Sequence, residues 1–334
     1  MAMSALGMDR RTFLQLTAGA TATAALAGRA SVAEAAPLAE LNLWGPPAGP
    51  SVTLAHGVAT NRMDNVAANC TFTAWRNPDE LRAGLTSGSI IASIVPAQLA
   101  ANLYNRGFPI RLANIMTEGL LYVLSEDHGI GSIADLKGRS LAVPFRGDTP
   151  EILFTQLLRH HDIAEEDVTV SYVSTPVEAV QLLLAGRVEA AMVVEPAASA
   201  AVIRGRQAGK DVQRVVDITA EWAAMTGGDA VLPMAGLAVT GAIYEDAPDV
   251  IDLLRADIRD SLADVMANPA EAAANASEPL NLPAPVIVES IANSRLTARD
   301  ATEIRPHVEA MFRAMGGPDL QRIGGQLPGD EFYL

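Results

Sequence analysis

The chain has 334 residues, 49% of them hydrophobic, which is enough apolar material for a sizeable core and a length that suggests two lobes or two domains. A formal net charge of -15 argues against nucleic acid or an anionic membrane surface as a partner, since both reward a basic face. One cysteine, Cys70, excludes an internal disulfide and any multi-cysteine metal site, and reads as a small buried apolar residue.

At the N-terminus, Met8-Asp-Arg-Arg-Thr-Phe-Leu-Gln15 puts an arginine pair ahead of an alanine-rich apolar run, Leu16 to Gly28, which ends near Ala33-Glu34-Ala35. That order reads as a twin-arginine export signal over residues 1–35 with a small-residue cleavage site. The run is too short and too alanine-rich for a membrane span, and no cysteine stands at its end to accept a lipid, so a soluble mature protein is expected.

The chain then alternates strands and helices. Leu41 to Pro47 is a strand ending in Trp44-Gly-Pro-Pro47, and Pro50-Ser51 opens a helix. Cys70 to Trp75 is a second strand, followed by Asn77-Pro-Asp-Glu80, a capping box whose helix runs to Gly88. Ser89 to Val95 is an apolar strand, and Pro96 starts a helix through Tyr104 that Gly107 ends. Arg111 to Leu124 is strand-like, with Gly119 in its middle as a bulge or a crossing between lobes.

Ser140-Leu-Ala-Val-Pro-Phe-Arg-Gly-Asp-Thr-Pro-Glu-Ile-Leu153 is a buried strand turning tightly into a helix, with Thr149 as the expected cap, Pro150 at the first helical position and Glu151 in the first turn. Backbone N–H groups at such a helix start can hold an anion, with Arg146 and Thr149 beside them. A phosphate loop is ruled out, because the glycine-rich stretch and its Lys-Ser/Thr ending are missing. The helix carries Leu153, Phe154, Leu157 and Leu158 on one side and stops near His160-His161, whose side chains should diverge.

Val168 to Val173, a second capping box at Thr175-Pro-Val-Glu178, a helix closing at Gly186 and a strand from Val188 to Val194 follow. Asn77 and Thr175 stand 98 positions apart, and at the same offset Gly88 meets Gly186, Ala92 meets Ala190 and Val95 meets Val193. One helix–strand unit is thus expected once in each of two similar lobes. Val212 to Ile218 is a strand, Trp222 and Gly227-Gly228 lie in a loop, and Val231 to Val239 is a return crossing. Pro248 to Met266, Pro285 to Ser294 and Ala301 to Met315 are amphipathic helices, and the Gly/Pro-rich tail from Gly316 reads as a surface wrap without chemistry.

Together with the export signal, the phrases Asp79-Glu-Leu-Arg-Ala-Gly84, Gly107-Phe-Pro-Ile-Arg-Leu-Ala113, Ile133-Ala-Asp-Leu-Lys-Gly138, Leu141-Ala-Val-Pro144, Glu178-Ala-Val-Gln-Leu-Leu-Leu-Ala-Gly186 and Ala190-Ala-Met-Val-Val-Glu-Pro196 carry a family resemblance. Over roughly residues 40 to 245 the chain resembles the periplasmic substrate-binding proteins of ABC importers, and most of all the group handling nitrate, alkanesulfonates, taurine and thiamine-precursor pyrimidines. The resemblance implies an α/β, two-lobe periplasmic-binding-protein clamp with mixed sheets flanked by helices and two hinge crossings. Lobe 1 would hold residues 36–122 plus 233–334, and lobe 2 residues 123–232. It further implies a periplasmic monomer with a small-molecule ligand, an ABC permease and the twin-arginine export machinery as partners, and no cofactor.

Strand ends facing the cleft give the candidate ligand contacts: Trp44, Gly45 and Pro46; Pro96 and Gln98; Thr117 and Glu118; Arg146, Gly147, Asp148 and Thr149; Glu195; and Trp222. Trp44 is either core or a stacking platform. Arg146 is a solvated charge or an anion contact. Asp148 either helps to cap the helix or, if it faces the cleft, would favour a ligand amine. Glu195 is an inter-lobe ion-pair partner of an arginine or a ligand contact. Two rival classes share the fold: an enzyme of the thiamine-pyrimidine or menaquinone-pathway type, and a receptor for a membrane kinase. The pyrimidine-forming enzymes use a cysteine-rich segment that one cysteine cannot supply, and the five histidines show no metal-ligand spacing.

Overall fold

The computed structural model describes residues 38–334, and the export-signal reading lies outside them. The first half runs β1 (Leu38–Gly45), α1 (Pro50–Ala59), β2 (Ala67–Ala74), α2 (Pro78–Ser87), β3 (Ala92–Pro96), α3 (Ala97–Asn105), β4 (Ile110–Leu112), β5 (Asn114–Thr117) and β6 (Leu121–Ser125). Next come β7 (Ser140–Pro144), α4 (Thr149–His160), β8 (Thr169–Val173), α5 (Pro176–Leu184), β9 (Ala190–Val194), α6 (Ala197–Gln207), β10 (Gln213–Asp217), α7 (Ile218–Thr226) and β11 (Ala235–Thr240). The chain ends with α8 (Gly241–Tyr244), α9 (Asp249–Ala267), α10 (Pro269–Leu280), α11 (Ala284–Asn293), β12 (Leu296–Asp300), α12 (Ala301–Met315) and short 3-10 turns. None of the described helices is long and apolar enough to cross a membrane.

Two mixed sheets form the two lobes of the clamp. One has the order β12-β5-β11-β3-β1-β2 with β4 beside β11; the other has the order β10-β6-β9-β7-β8. The repeat extends beyond the helix and strand in which the sequence displays it. Asn42 pairs with Thr71 as Ser140 pairs with Thr169, and Leu43 pairs with Ala92 as Leu141 pairs with Ala190, each at the same 98-residue offset. The antiparallel strand closing each unit arrives from the far side of the chain: Ala235 of β11 opposes Pro96, and Leu121 of β6 opposes Val194.

Those two strands follow the two crossings. The chain leaves the first sheet after Thr117 and enters the second at Leu121, passing through Gly119, whose φ of 142° is open only to glycine. It returns just before β11. The Glu118 carbonyl accepts the Leu232 N–H at 3.0 Å, and the Glu118 N–H donates to the Arg295 carbonyl at 3.0 Å, so the crossings are tied to each other and to the C-terminal region.

Local chemistry explains most elements, and also where expectation and structure part. Asn77 and Thr175 accept the N–H of Glu80 and Glu178, as a cap should. The glutamates, however, reach one residue past the cap, to the N–H of Arg76 at 2.7 Å and of Ser174 at 2.9 Å. Trp222 lies on helix α7 and not in a loop, because Asp217 caps that helix and the left-handed Gly227 ends it. The rings of His160 and His161 do not diverge: their centroids are 5.0 Å apart, since His161 already sits past the helix end, and its Nε2 meets Glu221 Oε2 at 2.7 Å.

Helices α9, α10 and α11 cover α1 through Val52, Ala55, Val265, Ala273, Ala276 and Ile287. The fully buried His56 pins this layer, with Nε2 3.0 Å from Asp264 Oδ2 and Nδ1 3.1 Å from the Asn275 amide, while Arg62 donates to the same carboxylate at 2.6 Å. Hydrogen bonds from His56 first, then from Asn268 at 2.7 Å and from Arg62, hold the Asp264 carboxyl down at about 2. A carboxyl depressed by folding adds stability above its ordinary value of 3.8, and that contribution is lost as pH falls toward 2. Asp264→Asn should therefore flatten the fall of the unfolding midpoint between pH 4 and pH 2. Identical pH profiles for the two proteins would contradict this reading.

The tail is not a surface wrap. Ile323, Phe332 and Tyr333 are buried, and Leu334 donates its N–H to the Leu112 carbonyl at 3.0 Å. Cys70 is partly buried, and desolvation pushes its thiol up to about 11.

Candidate functional site

Between the strand ends of the two sheets lies a cleft of about 520 Å³. The first sheet contributes Trp75, just past β2, and Pro96 and Gln98 at the start of α3; the second contributes Phe145, Arg146, Gly147 and Asp148 between β7 and α4. Met315, Gln321, Arg322 and Ile323 of the C-terminal segment make a third wall. Gln98 Nε2 donates to Asp148 Oδ1 at 2.8 Å, joining the walls built on the two sheets.

The turn from Phe145 to Thr149 is shaped by backbone conformations that side chains resist. Phe145 has a φ of 58°, which costs a non-glycine residue about 1–3 kcal/mol. Gly147 follows at a φ of 81°, where glycine carries no such penalty. The Asp148 N–H closes the turn on the Phe145 carbonyl at 3.0 Å, and the Phe145 N–H is held by the Val173 carbonyl at 3.1 Å. This geometry places an aromatic side chain on the cleft. Arg146 is exposed and lies over the Tyr172 ring, 5.0 Å from its centroid.

The expected anion cradle at this helix start is already filled by the chain itself. Asp148, not Thr149, caps α4, accepting the Thr149 N–H at 2.7 Å and its hydroxyl at 3.3 Å. Glu151 accepts the Gly147 N–H, as Glu80 and Glu178 do at the equivalent position in their own helices. Two carboxylates therefore occupy the positive end of the α4 dipole, and a bound anion there would meet two like charges.

Of the residues expected from sequence, the cleft brings together Pro96, Gln98, Arg146, Gly147 and Asp148. Trp44, Gly45 and Pro46 are not among its walls. With the Asn42 amide oriented to donate to Thr71 and Thr73, its oxygen takes the Trp44 indole N–H at 3.0 Å, and the Gly45 carbonyl accepts the Trp75 N–H at 2.9 Å. Thr117 is buried and donates to the Ser294 carbonyl at 2.7 Å, and Glu118 pairs with Arg299 at 3.0 Å. Thr149 is buried behind its cap, and Trp222 is core, 3% exposed.

Glu195 is buried without exposure, filled by Arg214 Nε at 2.7 Å and by the Ser199 hydroxyl at 2.7 Å. Burial pushes its carboxyl up, against the pull of Arg214 and Ser199. Glu195 and Arg214 belong to one lobe, so this pair does not join the lobes. The link outward is Arg214 Nη1 to Glu289 of α11, at 3.4 Å.

Sequence reasoning missed Trp75, Phe145, Asn102, Arg106 and the C-terminal wall. The signal for Trp75 was available, since it stands at a strand end before a helix opened by proline, as Trp44 does. Its indole N–H reaches the Ile94 carbonyl at 3.4 Å and it is 7% exposed.

Two lobes with a cleft at their strand ends give the chain the two-lobe fold of the periplasmic-binding-protein type. The NMT1-like family model matches residues 110–250. Among solved structures the chain is similar to an ABC transporter from Parabacteroides distasonis at 22% identity and a TM-score of 0.73, covering 90% of this chain and 99% of that one. It is also similar to the periplasmic aliphatic sulphonate binding protein of Escherichia coli (17%, TM-score 0.63, 87% and 93% covered). A third is the periplasmic nitrate-binding protein of Synechocystis (14%, TM-score 0.59, 75% and 69% covered). At these identities the likeness is one of fold. An ABC transporter, a sulphonate-binding protein and a nitrate-binding protein are the kinds of protein that the sequence phrases resemble. No curated protein matches the sequence.

Proposed function

We propose that the mature chain is an exported, periplasmic and monomeric solute-binding protein that captures a small organic solute between its lobes and delivers it to an ABC permease. The observation that carries this reading is the cleft itself, walled by the strand ends of both sheets and spanned by Gln98 and Asp148. A ligand touching both walls stabilises the closed form by its difference in affinity for the two forms, and the permease has that form to recognise. Trp75 and Phe145 supply an apolar surface, while Gln98, Arg146 and Asp148 supply the polar contacts that fix orientation.

A thermal-shift screen of the mature protein against small sulfonates, carboxylates, amino acids and pyrimidines tests the reading. A true ligand at a hundred times its Kd should add about 2.7 kcal/mol of stability, with one-to-one stoichiometry by calorimetry. Conversion of a hit to product would sink the binder reading, and silence across the whole screen would count against it.

A further inference from the structure

We propose that the junction of α11 and β12, Asn293-Ser294-Arg295, is a clasp beside the crossings that fixes the angle between the lobes, with Arg295 and Tyr122 as positioning residues that set solute affinity without touching solute. The effect on affinity rests on the cleft being a solute site, as proposed above; the effect on the angle does not.

Three consecutive carbonyls of the junction are taken by the segment that passes from the first sheet to the second. The Tyr122 hydroxyl donates to the Asn293 carbonyl at 2.8 Å, the Thr117 hydroxyl to the Ser294 carbonyl at 2.7 Å and the Glu118 N–H to the Arg295 carbonyl at 3.0 Å. Thr117 ends β5 of the first sheet and Tyr122 lies in β6 of the second, so the junction is bonded on both sides of Gly119. Arg295 has a φ of 39°, a left-handed conformation that a side chain resists, where the chain turns from α11 into β12. Its stem lies on the crossing. A Cβ at Gly119 would sit 3.1 Å from the Arg295 Cδ, and closer still to the Thr219 hydroxyl of the other lobe.

Charged side chains extend the contact. Arg295 Nη2 donates to Asp217 Oδ2 at 2.6 Å, and Arg214 Nη1 of the second sheet meets Glu289 of α11 at 3.4 Å. Each lobe supplies one cation and one anion, and a register that exchanged the partners would set like charges together. Neither partner in the second lobe is free to follow a moving first lobe, because Asp217 caps α7 and Arg214 holds the buried Glu195. Hydrogen bonds and charge-assisted pairs reward a narrow range of distance and angle. This set therefore belongs to one angle between the lobes, the angle at which Gln98 meets Asp148 across the cleft. A solute held by both walls binds molecules at that angle, and the fraction of molecules there multiplies its intrinsic affinity.

Small-angle scattering of the full mature chain without added solute reads the angle. Arg295→Ala and Tyr122→Phe should each raise the radius of gyration, and the double variant should raise it further. Arg259→Ala, which removes an ion pair to Asp300 within the first lobe, should leave it unchanged. Tyr122→Phe deletes one hydroxyl and keeps the ring, so it decides the matter even if Arg295→Ala fails to fold. An unchanged radius in Tyr122→Phe and in any folded Arg295→Ala would overturn the clasp, and a smaller radius would overturn it too, by showing that the junction props the lobes apart. For any solute found in the screen, the two variants should weaken binding by about two- to tenfold, chiefly through faster release. Wider lobes with undiminished affinity would overturn the link to binding. A silent screen bears on the solute reading alone, and the scattering result still decides the clasp.

Discussion

Arg214→Ala is expected to lower stability by about 3–5 kcal/mol, the cost of leaving a buried charge without its partner. Glu195 has no solvent exposure, and its carboxylate is held by Arg214 and Ser199 alone among described side chains. Arg214 also donates to the Ser199 hydroxyl at 2.6 Å and lies 5.6 Å from the Tyr122 ring centroid. Removing the guanidinium deletes the one favourable charge and leaves burial opposed by Ser199 alone, so the Glu195 carboxyl should rise further above its ordinary 4.5. A carboxyl that binds its proton more tightly when folded penalises the fold as pH rises above the unfolded value, and the penalty vanishes below it. The deficit of Arg214→Ala should accordingly shrink as pH is lowered through 4.5, and Glu195→Gln should relieve it in the double variant. Urea unfolding at pH 5 and pH 8 measures both effects. A loss under about 1 kcal/mol at pH 8 would mean that Glu195 is already uncharged in the native protein.

The same pair shows where sequence reading stops. Glu195 stands directly after a buried strand, the position from which binding proteins present ligand contacts, and that placement was readable. That its carboxylate points into the protein depends on Arg214, 19 positions further along on β10, and no local pattern encodes the pairing. Elements with strong local grammar were legible: the capped helices opening at Pro78 and Pro176, the buried strands ending at Pro96 and Val194, and the crossing at Gly119. Elements with weak grammar were not. Helix α7 follows no long apolar period, α10 is alanine-rich, and β12, Leu-Thr-Ala-Arg-Asp, is half-buried throughout and held by pairing with β5. The site divides along the same line. Pro96, Gln98 and the Arg146–Asp148 turn follow from strand-to-helix junctions, whereas Arg322 reaches the cleft only because two asparagines on α3 capture a segment more than two hundred residues away.

That capture depends on the end of the chain being core, and Phe332→Ala tests it directly. The Phe332 ring is fully buried, 5.2 Å from Tyr104, 4.9 Å from Tyr333 and 6.5 Å from Phe312 by ring centroids. Truncating a buried phenylalanine costs about 3–5 kcal/mol through lost burial and the cavity left behind, and tilted and edge-on aromatic contacts of this kind add to it. A surface wrap would lose about 0.5 kcal/mol or less. The adjacent Glu331 is exposed, and its carboxylate pairs with Arg111 at the surface at 3.2 Å. Glu331→Ala is thus the matched control and should be nearly silent. Because Phe332 packs on Tyr104 of α3, its loss should also loosen the helix that holds Arg322. Hydrogen exchange of the Asn102–Asn105 amides should then quicken in Phe332→Ala and stay unchanged in Glu331→Ala. Equal stability of the two variants would return the tail to the surface and detach it from the cleft.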